Sequence, residues 1–324
     1  MDGHYFKYKF CLFIRKPVYL YSDMNTGKTY KVAGHLFEIR MNSRDSLWNR
    51  MDEPFGQFEH DAGASDLLFS IGILESICRN QDADQVYSNA DSTEPGQMRL
   101  DAFKSRDGYY FEFTQPSSKE ANGRLSISGD FRKAECALYG NEIERWLTFN
   151  TAVNFCFLLA SACHDTAFVH ASAVTYKGKA YLFLGKSGTG KSTHSRMWLN
   201  ALDGVVLMND DHPIIRIDED GKAIAYGSPW SGKTHCYKNM HAPIGGIIRI
   251  ARAPYNKAHR LHIVESYASL MTSISGMTWE RNLADGKDRT IQKIIASVPC
   301  WRMECLPDED AARVCSQAVT EVWA

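Results

Sequence analysis

The chain has 324 residues, enough to bury a core without disulfides or a structural metal, and its length is that of roughly two domains. Its 37 Lys and Arg against 38 Asp and Glu leave a formal net charge of −1, which excludes a generally basic nucleic-acid binder. Hydrophobic residues at 44% and charged residues at 23% exclude a disordered chain.

Residues 5–14 are dense in aromatics and read as a strand, and 18–21 as a second short one. Lys7, Lys9, Arg15 and Lys16 interrupt this region, and its apolar run FCLFI is far shorter than the roughly 18 residues of a span. No small-residue cleavage site follows. The nine cysteines are irregularly spaced, with no C-x-x-C, which reads as reduced thiols. The expectation is a cytoplasmic protein with no membrane partner.

Asn25, Thr26 and Gly27 signal a turn before a strand-like stretch at 30–41. Residues 66–78 (DLLFSIGILESIC) fit a short helix or a buried strand, and periodicity leaves the choice open. Residues 80–97 are polar, carry Pro95-Gly96 and read as a loop. Strands are expected at 109–113 and 124–128. No catalytic motif falls in residues 1–140, read as a β-rich recognition domain. Residues 142–163 read as one long core helix. The boundary is placed before it, leaving 141–324 as the second domain.

Strands are then expected at 169–176 and 179–184, a glycine-rich loop at 185–192, and a short helix at 193–201. A buried strand at 205–208 runs into Asn209-Asp210-Asp211, and strands at 214–217 and 223–226 flank the hairpin signal Asp220-Gly221. After a strand at 246–250 the tail from 264 reads as mostly helical.

The loop Gly185-Lys186-Ser187-Gly188-Thr189-Gly190-Lys191-Ser192 fits G-x-x-x-x-G-K-[ST] at every fixed position. Backbone N–H groups must converge on phosphate oxygens there, and glycines permit the dihedrals and the close approach. The helix start at Ser192 and Thr193 adds free N–H groups and a positive dipole end. Lys191 supplies a charge to the β and γ phosphates, and the Ser192 hydroxyl is placed to ligate Mg²⁺. The pattern therefore predicts a nucleotide-phosphate site with Mg²⁺; the donor is taken as ATP, and no base-reading motif separates ATP from GTP. Asp210 and Asp211, delivered by a buried strand, supply metal and proton-accepting carboxylates. Which acid does which task the sequence leaves open.

Only Lys177-Gly178 joins the strand before the loop to its predecessor. That is too short for a crossover, so the pair must be antiparallel and the sheet mixed. VHASAV (169–174), FLGKSGTGKSTHS (183–195) and LMNDDHP (207–213) together resemble the HPr kinase and phosphoenolpyruvate carboxykinase-like superfamily. The resemblance covers roughly residues 165–250 and implies an α/β fold with a mixed-sheet P-loop core. It implies that Lys191 binds the β and γ phosphates, that Ser192 binds Mg²⁺, that Asp210 and Asp211 share the metal and general-base tasks, and that His170 lies near the transferred phosphate or binds a metal. It also implies possible homo-oligomers. The glutamate and arginine that the HPr kinases carry before a G-I-I strand have no counterpart at 240–248.

The function this implies is an ATP- and Mg²⁺-dependent phosphotransferase, moving the γ-phosphate to a hydroxyl, a serine above all. The acceptor would belong to a protein, a peptide or a small molecule. Two alternatives stay open: a carboxykinase-like enzyme, and a nucleotide-binding regulatory protein without catalysis. Lys233, Arg249, Arg252 and Arg260 are further candidates to meet phosphate or transition-state charge; a surface loop explains Lys233 at least as well, and a surface position explains each arginine better.

Overall fold

The computed structural model describes residues 25–61, 66–91 and 97–321. The strands expected at 5–14 and 18–21, and the Pro95-Gly96 pair, lie outside the described residues. The fold is mixed α/β, with two mixed sheets and six α-helices among the described residues.

The first sheet opens with a hairpin, β1 (Asn25–Val32) and β2 (His35–Asn42). Its turn is Ala33-Gly34, both at positive φ, and not the expected Asn25-Thr26-Gly27, which lies inside β1. Gly27 is exposed, and a Cβ there would come closest to the flexible end of the Glu38 side chain. Helix α1 (Leu47–Phe55) then carries the chain across to β3 (Phe69–Leu74), parallel to β2. The ambiguous stretch at 66–78 is thus a strand. β4 (Asp84–Ser88) corrects the expected loop at 80–97; its residues are all exposed, so an edge strand leaves no apolar pattern to read. β5 (Arg99–Lys104), β6 (Gly108–Thr114), β7 (Gly123–Ser128) and β8 (Lys133–Leu138) complete the order β1-β2-β3-β8-β7-β6-β5-β4.

Helix α2 (Glu142–Ser161) follows. Asn141 accepts hydrogen bonds from Ile143 N and Glu144 N at 3.0 Å, and Glu144 accepts one from Asn141 N at 2.9 Å. This reciprocal cap fixes where the helix starts. Its buried side chains lie against β3, β7 and β8. Phe157 also meets Phe168 and Trp230 edge-on, so the core under the first sheet runs on into the second.

The second sheet contains β9 (Thr166–Phe168), β10 (Ala171–Tyr176) and β11 (Lys179–Leu184), then helix α3 (Lys191–Ala201) and β12 (Val206–Asp211). β10 and β11 form the expected antiparallel hairpin. β13 (Ile214–Ile217) and β14 (Ala223–Tyr226) pair around Asp220-Gly221, and β15 (His241–Arg252) runs parallel to β11. β16 (Lys257–Arg260), α4 (Ile263–Met271), α5 (Arg281–Ser297), β17 (Cys300–Cys305) and α6 (Glu309–Thr320) follow. β17, a strand within the tail read as mostly helical, lies between β15 and β16. Its sequence CWRMEC carries no β-branched residue, which hid it.

All eight described cysteines are free thiols. No helix among the described residues is long and apolar enough to cross a membrane.

Candidate functional site

The glycine-rich loop leaves the end of β11 and enters α3. Gly185, Gly188 and Gly190 have φ of +158°, +75° and +115°, values that side chains disfavour. Thr189 closes the loop by donating from N and Oγ1 to Lys186 O at 3.1 and 2.7 Å. Lys186, Ser187 and Gly188 form its exposed tip. No side chain caps α3 and no acid sits in its first turn, so its positive end stays uncompensated. Ser192 and Thr193 lie exposed on that turn.

Register brings the acids to the loop. β10 pairs antiparallel with β12, setting Ser172 opposite Asp210 and Ala171 opposite Asp211. Cross-strand partners share a face. Ser172 Oγ lies 2.6 Å from Ser195 Oγ of α3, so Asp210 lies on the face that α3 covers. Asp210 is a buried residue, and its charge acts on Lys191. A carboxylate on this face of a helix start suits a cation, and oxygen donors from Ser192 and Asp210 suit Mg²⁺.

Asp211 is engaged differently. His170 Nδ1 lies 3.0 Å from its Oδ1 and His212 Nδ1 lies 3.2 Å from its Oδ2. Burial works to raise its pKa, but hydrogen bonds from the two imidazoles outweigh it and hold the carboxyl well below the usual carboxylate range. An ionised carboxylate only accepts, so both imidazoles carry a proton on Nδ1. Nε2 of His170 is then an acceptor, and it takes a hydrogen bond from Lys191 Nζ at 2.8 Å. Lys191 also donates to Gly185 O at 3.1 Å. Burial lowers the Lys191 pKa, against the pull of Asp211 and Asp210.

Asp211 also has φ +141°, a conformation open almost only to glycine. Its neighbours hold it there: Ser231 bridges to Asp211, and Gly232 N donates to Asp210 O at 2.7 Å. Buried Asn209 donates to Trp230 O at 3.0 Å and accepts from His212 N at 2.8 Å, tying this loop to the strand end.

The structure thus joins Lys191, His170 and Asp211 into one chain of contacts and sets Asp210 apart from it. His212 is the residue the sequence reading missed; its signal was its place directly after the acids and before Pro213, which favours an extended backbone. His170, Asp211 and His212 offer ligand atoms within 4.8 Å of one another, a donor set suited to a transition metal. Of the other candidates, Arg252 donates to Gly188 O. Arg249 is held by Ser269 and Thr272, both at 3.3 Å. Lys233 and Arg260 are exposed.

No family model and no curated protein matches this chain. Among solved structures it is similar to the HPr(Ser) kinase/phosphatase from Coxiella burnetii, at 12% identity and a TM-score of 0.27. The match covers 48% of this chain and 99% of that one. The functional reading therefore rests on this chain's own geometry.

Proposed function

We propose that this chain is a nucleoside-triphosphate- and Mg²⁺-dependent phosphotransferase that moves a γ-phosphate to a hydroxyl, with ATP as donor and a serine-type hydroxyl as acceptor. The observation that carries the reading is the Lys191–His170–Asp211 chain at the entrance of a three-glycine loop. A loop that only bound nucleotide would need neither a base nor its orienting acid.

In this reading the loop N–H groups and the α3 terminus receive the phosphates, and Lys191 leaves His170 to meet the β and γ oxygens. That frees His170 Nε2 as a general base, with Asp211 fixing its tautomer as the carboxylate of a catalytic triad does. The acceptor oxygen forms a bond to the γ phosphorus, the bond to the β–γ bridging oxygen breaks, and the hydroxyl proton passes to His170 Nε2. Mg²⁺ at Ser192 and Asp210 would neutralise phosphate charge. Residues 1–140 place no side chain in this cluster among the described residues, and we assign them to acceptor recognition.

The His170–Asp211–His212 donor set favours a second reading, a carboxykinase-like reaction using a transition metal. Manganese dependence with oxaloacetate turnover would mark it.

The test is transfer of labelled γ-phosphate from ATP with Mg²⁺ into a cell extract and into free serine, beside Asp210→Ala. A labelled product that disappears in the variant supports the kinase. ATP binding without any label transfer refutes it and leaves the regulatory reading.

A further inference from the structure

A row of basic residues crosses β15, β17 and β16. Register sets Arg249 of β15 beside Leu184 of β11, the residue before the phosphate loop, and on its other side beside Arg302 of β17. Arg302 in turn faces His259 of β16. Cross-strand partners share a face, so the three side chains form a line of roughly 10 Å. Like charges set opposite each other repel and weaken a sheet. Among the described residues Glu304, 3.3 Å from Arg302, is the one acid paired with this line, and Arg249 makes no ion pair.

Arg249 is tied to the site by a closed circuit of contacts. Its Nη1 donates to Ser269 Oγ and Thr272 Oγ1, both at 3.3 Å, at the end of α4. The next residue, Ser273, accepts at its carbonyl from His170 N at 2.8 Å. His170 meets Lys191, Lys191 donates to Gly185 O, and Gly185 follows the Leu184 that pairs with Arg249. Both side-chain bonds of Arg249 use Nη1. Its Nε and Nη2 make none with the described residues. That edge of a guanidinium is the fork that takes a carboxylate or a phosphate in two parallel bonds. Arg302 and His259 lie exposed beside it.

We infer that Arg249, with Arg302 and His259 beside it, binds an acidic group of the acceptor, a carboxylate or a phosphate, next to the hydroxyl that is phosphorylated. The inference rests on the phosphotransferase reading and adds the acceptor's chemical class to it. An anion bound here offsets the repulsion between Arg249 and Arg302, and the circuit through Ser273 brings its neighbouring hydroxyl to the side of the site that His170 occupies. The line is as long as about three residues of an extended chain, so a serine flanked by acids is the acceptor it fits.

The test measures binding of end-blocked serine peptides to the full chain, at low ionic strength, with the loop filled by the Mg²⁺ complex of a non-hydrolysable ATP analogue. Three peptides carry one serine flanked by glutamines, by glutamates or by phosphoserines. The expected result is an acidic peptide binding about tenfold or more tightly than the glutamine peptide; the tighter of the two acidic ones names carboxylate or phosphate. Arg249→Gln and Arg302→Gln are each expected to shrink that preference, and Arg302→Gln does so without touching α4. Equal binding of the three peptides overturns the assignment, as does a preference unchanged in both variants. A loss of nucleotide affinity in Arg249→Gln as large as its loss of peptide preference makes Arg249 a nucleotide contact and overturns it too. A wild type that binds no nucleotide refutes the loop reading instead, and takes the acceptor role of the row with it.

Discussion

Lys191 Nζ and His170 Nε2 lie 2.8 Å apart, joining a lysine of the phosphate loop to a histidine that precedes β10. His170 can accept from Lys191 only because its other nitrogen donates to Asp211. The three residues form one chain of contacts, and in the proposed mechanism Asp211 acts through His170. Asp211→Asn replaces one acceptor oxygen by a donor, so it cannot satisfy both imidazoles. We expect kcat to fall on the order of 10²- to 10⁴-fold, the usual contribution of a positioned base. Unchanged kcat in a transfer assay would remove His170 and Asp211 from the mechanism.

The backbone of Asp211 makes a separate prediction. At φ +141° any side chain is strained, and glycine is not. Both Asp211→Gly and Asp211→Ala lose the carboxylate, but only the glycine variant relieves the backbone. Thermal melting should find Asp211→Gly the more stable of the two by about 1 kcal/mol or more. Equal stability would mean that the strain is absent in solution.

Acidification should weaken the fold through two buried histidines. Burial, with Arg216 and His164 adding to it, lowers His35 to about 3. Burial alone lowers His194 to about 4. Both folded values lie below the ordinary 6.5, so the unfolded chain binds more protons between them. Stability is then fully present above about pH 6.5 and falls as pH drops toward 3–4, by up to about 1.4 kcal/mol per pH unit per group. His35→Leu should flatten this slope in urea titrations at stepped pH, because it removes one of the two groups. A slope unchanged by the substitution would place the acid sensitivity elsewhere.

Trp230 is 2% exposed and packs edge-on against Phe55 and Phe157, under the first sheet, and tilted against Phe168 of the second. It directly precedes Ser231, which bridges to Asp211. Trp230→Ala should cost about 3–5 kcal/mol of stability by chemical denaturation. It should also lower kcat through Ser231, with Trp230→Phe restoring part of both. A loss of stability with kcat intact would separate the core from the site.

How much of this was legible in the sequence differs between parts of the chain. The phosphate loop is local, and eight consecutive residues with their flanking strand and helix announce it. The antiparallel β10–β11 pair followed from the shortness of Lys177-Gly178. The different surroundings of Asp210 and Asp211 were not readable, because they depend on which face each occupies against β10. Neither was the part of His212, nor the positive φ of Asp211, which the loop at 228–236 imposes from a distance. In the fold, exposed β4 and the cysteine- and methionine-bearing β17 escaped because neither shows the β-branched alternation by which strands are recognised.

The central claim is that Lys191 and its loop hold the phosphate that is transferred. Single-turnover release of labelled γ-phosphate from MgATP, with Lys191→Ala alongside, tests it most directly. The account predicts a rate on the order of 10²-fold or more below wild type in a variant that melts like wild type. Equal rates in the two proteins would contradict it.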